Sequence, residues 1–305
     1  MACKFEVTLS SSTDSGVSLA NEALNEVDRI EQQLSVFRAN SEISLLNRQA
    51  ATGPVNVSAS LFQLLSLCKE LHRETEGSFD ITSGPLTRCW GFLKRQGRVP
   101  NQDEIERARC VVGSEKLILD STSQTVRFSE PGIEINLGSI GKGYALDCVA
   151  SIFAQHKEPA LMNAAGSSFR AIGSGVKNEG WMIGLRDPRA KTRRFGAVRL
   201  RDCALSTSGS EEQFFESEGR RYGHIIDPRT GWPSEKVTSV TVVANSAALS
   251  DALATAFFVG GQVLAERYCA SHSEVLVIMF ERDATGPIVM GGHSRCAVET
   301  LAAAS

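Results

Sequence analysis

Asp251 and Thr255 stand four residues apart in a run of small and apolar residues, so on a helix they share one face. A carboxylate with a hydroxyl is part of a ligand set for a hard cation such as Mg²⁺, which takes further oxygens from elsewhere. An aspartate near a helix start also favours the helix dipole without any metal. His224 precedes Ile225-Ile226-Asp227 and follows the hydroxyl-rich run Ser206-Thr-Ser-Gly209, read as a loop. Opposite that loop its imidazole can accept a proton near neutral pH, although a lone strand histidine is more often just a satisfied core or surface residue. A third segment, from Ile135 to Ala145, carries Gly138, Ser139, Gly141, Lys142 and Gly143 where a strand runs into a helix start. Free backbone N–H groups there can hold a phosphate, and the same glycines also suit a turn that merely packs tightly.

Other chemistries fail on spacing. Gly138 to Gly143 reads G-x-x-G-x-G, which is neither a Walker loop nor the dinucleotide fingerprint. No G-x-S-x-G elbow exists for a serine hydrolase, and no H-E-x-x-H zinc helix among the five histidines. Asp227-Pro-Arg-Thr-Gly231 is a turn in which Pro presets φ and Gly supplies the left-handed position.

The hydrophobic pattern marks out the elements that must position these groups. Residues 4–9 alternate as a half-buried strand. From residue 14 onward, Val17, Ala20, Leu24, Val27, Ile30 and Leu34 predict the inward stripe of a helix. Residues 58–74 form a second helix capped by Ser58, and Asn101-x-x-Glu104 opens a third with a capping box. Residues 116–119 and 125–128 read as a hairpin. Strands are expected at 133–136, 160–163, 169–172, 181–185, 196–200, 222–226, 237–244 and 274–280. Helices are expected at 140–156 and 246–259, the second ended by Gly260-Gly261. Helices and strands do not alternate strictly, which predicts an α+β fold of mixed or antiparallel sheets with packed helices. The whole of 1–305 reads as one domain, with 155–160 as the nearest thing to a boundary between two lobes.

The 305 residues are 42% hydrophobic and 22% charged, which suits an ordinary globular chain. A formal charge of −3 offers no basic field, so nucleic acid is not an expected partner. No apolar run approaches a membrane span, and none is expected. The eight cysteines form no C-x-x-C pair and are expected to be reduced. Without a basic and apolar leader, a cytoplasmic protein is expected if Met1 is the native start, and an exported one if the start was trimmed.

Taken in order, these segments resemble the ApbE family, the Mg²⁺-dependent FAD:protein FMN transferases once described as thiamine-biosynthesis lipoproteins. Met1-Ala-Cys-Lys-Phe-Glu-Val resembles the family's M-G-T opening, and Leu34-Ser-Val-Phe37 with Ser41-Glu-Ile-Ser-Leu-Leu-Asn47 resembles its next stretch. Gly77-Ser-Phe-Asp-Ile-Thr-Ser-Gly-Pro-Leu86, followed by Trp90, is similar to G-A-F-D-x-T-x-x-P-L. The turn at 138–145, Asn163 to Gly166, Ser206 to Gly209, His224 to Pro233 and Asp251 to Thr255 complete the series, which runs from residue 1 to about 280.

The resemblance implies a T-fold-related, ApbE-like architecture in which FAD is the substrate and Mg²⁺ the cofactor. FMN would pass to a Thr or Ser of an acceptor flavoprotein, with release of AMP. The resemblance implies Ser139, Asp251 and Thr255 around the metal. It implies Met1, Phe37, Ser78, Phe79, Asp80, Asn136, Lys142 and Ile226 on FAD. His224 and Asp251 would be catalytic, His224 as the base that takes the acceptor proton. Asn136 stands where members often carry Asp, Ala165 where they carry a second Gly, and Ser167 where they carry an acidic or amide residue. Two alternatives therefore stand beside transfer: a Mg²⁺-dependent FAD pyrophosphatase yielding FMN and AMP, and a non-catalytic FAD-binding protein.

Overall fold

Val240, Val242, Val277 and Met279 belong to one buried core, and Val243, Leu276 and Ile278 to another. Alternation along two neighbouring strands thus places apolar side chains on both faces of one sheet. The computed structural model describes residues 3–10, 14–175, 179–211 and 213–300. In chain order the elements begin with β1 (Phe5–Leu9), α1 (Asp14–Leu34), α2 (Glu42–Gln49), β2 (Val55–Asn56) and α3 (Ala59–Glu74). Next come α4 (Gly84–Cys89), α5 (Gln102–Cys110), β3 (Leu117–Asp120), β4 (Thr125–Phe128), α6 (Gly141–Gln155), β5 (Ala160–Ala164) and β6 (Ser168–Ile172). After these lie β7 (Trp181–Asp187), β8 (Ala190–Leu200), β9 (Ala204–Gly209), β10 (Phe214–Ser217) and β11 (Arg220–Gly223). The last are β12 (Val237–Ala244), α7 (Ala247–Ser271), β13 (Leu276–Glu281), β14 (Ile288–Gly291) and β15 (Cys296–Thr300).

Seven strands form one antiparallel sheet in the order β1-β5-β6-β9-β12-β13-β14. This sheet draws strands from both sides of residues 155–160. Helices α6 and α7 pack on it, and α1 packs on α6. The smaller sheet β15-β8-β7 supplies Trp181, Ile183, Val198 and Leu200 to the core on the opposite face. Leu46, Leu61, Leu65 and Phe128, from α2, α3 and β4, join α7 in the largest core. The arrangement is the α+β class that the element pattern predicts.

Several elements differ from expectation. In α1 the buried residues are Leu19, Ala23, Val27, Ile30 and Leu34, whereas Val17 and Leu24 are exposed. Close approach to α6 favours the small Ala23 over the bulkier Leu24, which a reading by hydrophobicity alone ranks the other way. Residues 133–136 are not a strand but an extended segment with one bridge, Glu134 to Ser83. Asn47 holds it instead, its amide accepting from Ile135 N–H at 2.8 Å and donating to Ile135 O at 2.9 Å. Gly261, at φ 72° and ψ −167°, breaks the helical backbone of α7 where Gly260-Gly261 are expected to end it, and a second helical stretch follows at once, whose Leu264, Ala265 and Tyr268 continue the buried side to Ser271. The helix is long and apolar enough to cross a bilayer, yet 61% of its most apolar stretch is buried inside the protein as core.

Candidate active site

The N-terminal turns of α6 and α7 meet where Gly143 lacks a side chain. A Cβ there would lie 2.0 Å from the Ala247 carbonyl oxygen, so only glycine permits the approach. Contact at this distance lets Gly143 N–H donate to Asp251 Oδ2 at 3.1 Å. Lys142 Nζ lies 3.2 Å from Asp251 Oδ1, and Ser168 Oγ donates to the same oxygen at 3.3 Å. Asp251 is only 3% exposed, and these partners make its buried charge tolerable. One turn further along α7, Thr255 Oγ1 lies 3.3 Å from Ser208 Oγ on β9. The run Ser206 to Gly209, expected as a loop, is the body of β9, a central strand paired on both sides.

Thr255 faces a cleft of about 630 Å³, a size suited to a small-molecule or cofactor site. Phe37, Ser78, Asp80, Asn136, Ser139, Lys142, His224, Ile226 and Thr255 all line it, so nine of the expected residues converge. Phe79 does not: it is 1% exposed and packs into the main core, because its neighbour Ser78 takes the cleft-facing position. Asp251 lies one contact behind the wall, reached through Lys142 and Thr255. Met1 lies outside the described residues.

His224 follows β11 rather than sitting within a strand, since pairing stops at Gly223. Its backbone N–H and its Nδ1 both face the Gln213 carbonyl oxygen, at 3.1 and 3.0 Å. A carbonyl only accepts, so Nδ1 carries the proton and Nε2 keeps its lone pair. Burial pushes the imidazole below its ordinary pKa and Lys142 adds to this, against the opposing bond to Gln213. The ring is thereby held neutral, in the form a general base needs. The Asp227 to Gly231 turn beside it is braced by Trp90, whose Nε1 donates to Gly231 O at 2.8 Å and whose ring meets Trp232 and Tyr222.

Asp80 reaches the cleft wall but spends its oxygens inward. Oδ1 accepts from Thr82 N–H and Oγ1, each at 2.7 Å, and from Ser114 Oγ at 2.8 Å; Oδ2 accepts from Ser114 N–H at 3.0 Å. His72 Nδ1 lies 3.1 Å from Oδ2, and His72 Nε2 lies 3.2 Å from Glu115. Burial opposes both charges, but the bond and attraction between the two residues outweigh it, raising His72 and lowering Asp80. With Nδ1 also 3.1 Å from the Phe79 carbonyl, both ring nitrogens face acceptors. His72 thus braces the loop carrying Ser78 through Asp80, Glu115 and the Phe79 carbonyl.

The donor set fits a hard divalent cation: the Asp251 carboxylate and the hydroxyls of Thr255, Ser208 and Ser139 are all oxygens, with no thiolate among them. The cleft also fits a flavin dinucleotide. Ser78 Oγ is buried and makes no hydrogen bond to a described residue, an orphan that a ligand would satisfy. Asn136 Oδ1 is taken by Gly138 N–H at 2.9 Å, which turns its amide into a donor toward the cleft. Sequence reasoning missed Gln213, which fixes the His224 tautomer through its backbone, and Phe92 and Arg95 on the cleft wall. A carbonyl leaves no trace in side-chain identity. Arg95, at φ 55°, is placed by a turn that its sequence does not announce.

Comparison with known proteins gives the chain's family and fold relatives. The chain is 32% identical over 257 residues to the FAD:protein FMN transferase of Klebsiella pneumoniae (strain 342), covering 83% of this chain and 78% of that protein. It is 34% identical over 268 residues to the FAD:protein FMN transferase of Treponema pallidum (strain Nichols), covering 81% and 73%. The structure of the apbe protein from Thermotoga maritima superposes with a TM-score of 0.84 at 29% identity, covering 97% of this chain and 93% of that one. The flavin transferase ApbE from Vibrio cholerae gives 0.82 at 28% identity, covering 97% and 95%. The ApbE family model matches residues 1–280, and the chain belongs to the ApbE family.

Proposed function

We propose that this chain is an FAD:protein FMN transferase that requires Mg²⁺ and moves FMN from FAD to a Thr or Ser hydroxyl of an acceptor flavoprotein. The observation that carries the reading is the convergence of His224, Lys142 and Thr255 on one cleft, with Asp251 directly behind Lys142 and Thr255. Asp251, Thr255 and Ser139 would hold the metal, which supplies charge neutralisation for the pyrophosphate and the departing phosphate. Lys142 brings a second cation to the same place and orients Asp251. His224 Nε2 accepts the proton as the acceptor oxygen attacks the phosphorus of the FMN half. The new P–O bond joins FMN to the acceptor, the P–O bond to the AMP phosphate breaks, and AMP leaves with that bonding pair. Positioning and electrostatics do most of the work.

Incubation of the purified protein with FAD and a Thr-bearing acceptor flavoprotein, with Mg²⁺ or EDTA, tests this reading. AMP in solution and covalent flavin on the acceptor are expected only with Mg²⁺. AMP with free FMN and an unlabelled acceptor would instead identify water as the true acceptor.

A further inference from the structure

Helices α6 and α7 exchange carboxylates. Gly143 and Asp147 stand four residues apart on α6, as Ala247 and Asp251 do on α7. Asp251 takes the N–H of Gly143, and in return Asp147 takes the N–H groups of Ala247 and Ala248, both at 2.8 Å. Each aspartate thus satisfies amides that the other helix's first turn leaves unpaired. Strand β6 serves both: Arg170 Nε lies 3.3 Å from Asp147 Oδ1, and Ser168, two residues earlier, donates to Asp251. Asp147 is not part of the cleft wall. Its two charge-assisted bonds fix where α7 begins, and Asp251 follows one turn later.

We propose that Asp147 is a positioning residue for the metal site, clamping the start of α7 onto α6 so that the Asp251 carboxylate keeps its orientation beside Lys142. The proposal rests on the reading of Asp251 as a metal ligand. Asparagine at 147 keeps the shape but presents an NH₂ to one of the two N–H groups, loosening the clamp without emptying the space.

The test is Mn²⁺ binding to the purified protein without FAD, read by electron paramagnetic resonance, since Mn²⁺ takes the same oxygen ligands and gives a signal independent of turnover. Asp147→Asn is expected to weaken Mn²⁺ affinity about tenfold, the usual cost of losing a residue that orients a ligand. Asp187→Asn, at a buried carboxylate on β7 held by Arg189, controls for general destabilisation and is expected to leave the affinity within twofold. Asp147→Asn affinity within twofold of the parent, with Asp251→Asn abolishing binding, overturns the positioning role alone. Intact Mn²⁺ binding in Asp251→Asn overturns the metal-ligand reading and the proposal with it. If Asp147→Asn does not fold, Arg170→Gln loosens the same clamp and is expected to weaken Mn²⁺ by a smaller factor; unchanged affinity there also overturns the proposal.

Discussion

His224 Nδ1 and the Gln213 carbonyl oxygen lie 3.0 Å apart, and this bond decides which ring nitrogen faces the chemistry. Nε2 is the basic one, on a ring whose pKa lies below its ordinary 6.5. The active neutral form predominates above that lowered value and is lost as pH falls through it. Transfer rates in the native chain are therefore expected to hold from pH 7 upward and to fall on acidification below 6.5. His224→Gln is expected to bind FAD within a few-fold of the parent and to transfer about 10²- to 10⁴-fold more slowly. Steady-state kinetics against pH, with FAD affinity measured separately, check both.

Gly143→Ala places a methyl 2.0 Å from the Ala247 carbonyl, which belongs to backbone and cannot swing aside. The substitution is expected to cost about 1–3 kcal/mol of stability, as overpacking usually does. It should also weaken Mg²⁺ dependence disproportionately, because α7 must shift away from the N–H that holds Asp251. Denaturant unfolding and a Mg²⁺ titration of AMP release measure the two effects.

Ala165 sits at φ 58° in the β5–β6 turn, a conformation that costs an L-residue with a Cβ about 1–2 kcal/mol. Glycine relieves that cost but gives back part of it through a freer unfolded chain, so Ala165→Gly is expected to stabilise by about 0.5 kcal/mol. Chemical denaturation checks the sign.

The His72–Asp80 pair makes stability pH-dependent at both ends. His72 is raised, so its contribution is full below its unfolded value near 6.5 and is lost as pH rises through the folded value. Asp80 is lowered, so its contribution is present above 3.8 and is lost as pH falls through the folded value. The melting-temperature gap between the parent and His72→Gln is therefore expected to be widest between about pH 4 and 6.5 and to narrow in alkali.

Capping chemistry was readable in the sequence: Ser58 and the Asn101–Glu104 box start helices where their side chains demand. Strand alternation placed most of the sheet, and the family resemblance gathered nine cleft residues from segments more than two hundred residues apart. What stayed hidden depends on backbone groups and on close approach. The Gln213 carbonyl, the Gly143–Ala247 contact and the Asn47 amide stitched to Ile135 are tertiary facts with no local period. Ser206 to Gly209 misled in the same way, because a hydroxyl-rich strand packed under α7 looks like a loop when only hydrophobicity is counted. Phe79 shows the limit of motif transfer, since in the bend after α3 Ser78 and Asp80 line the cleft while Phe79 between them packs into the core.

The most direct test of the account measures AMP and covalently bound FMN together, from FAD, a Thr-bearing acceptor flavoprotein and Mg²⁺, in the parent and in Asp251→Asn. The account predicts equal amounts of AMP and acceptor-bound FMN in the parent, and neither product in Asp251→Asn or in EDTA. Acceptor-bound FMN that persists in Asp251→Asn, or AMP release unaffected by EDTA, would contradict it.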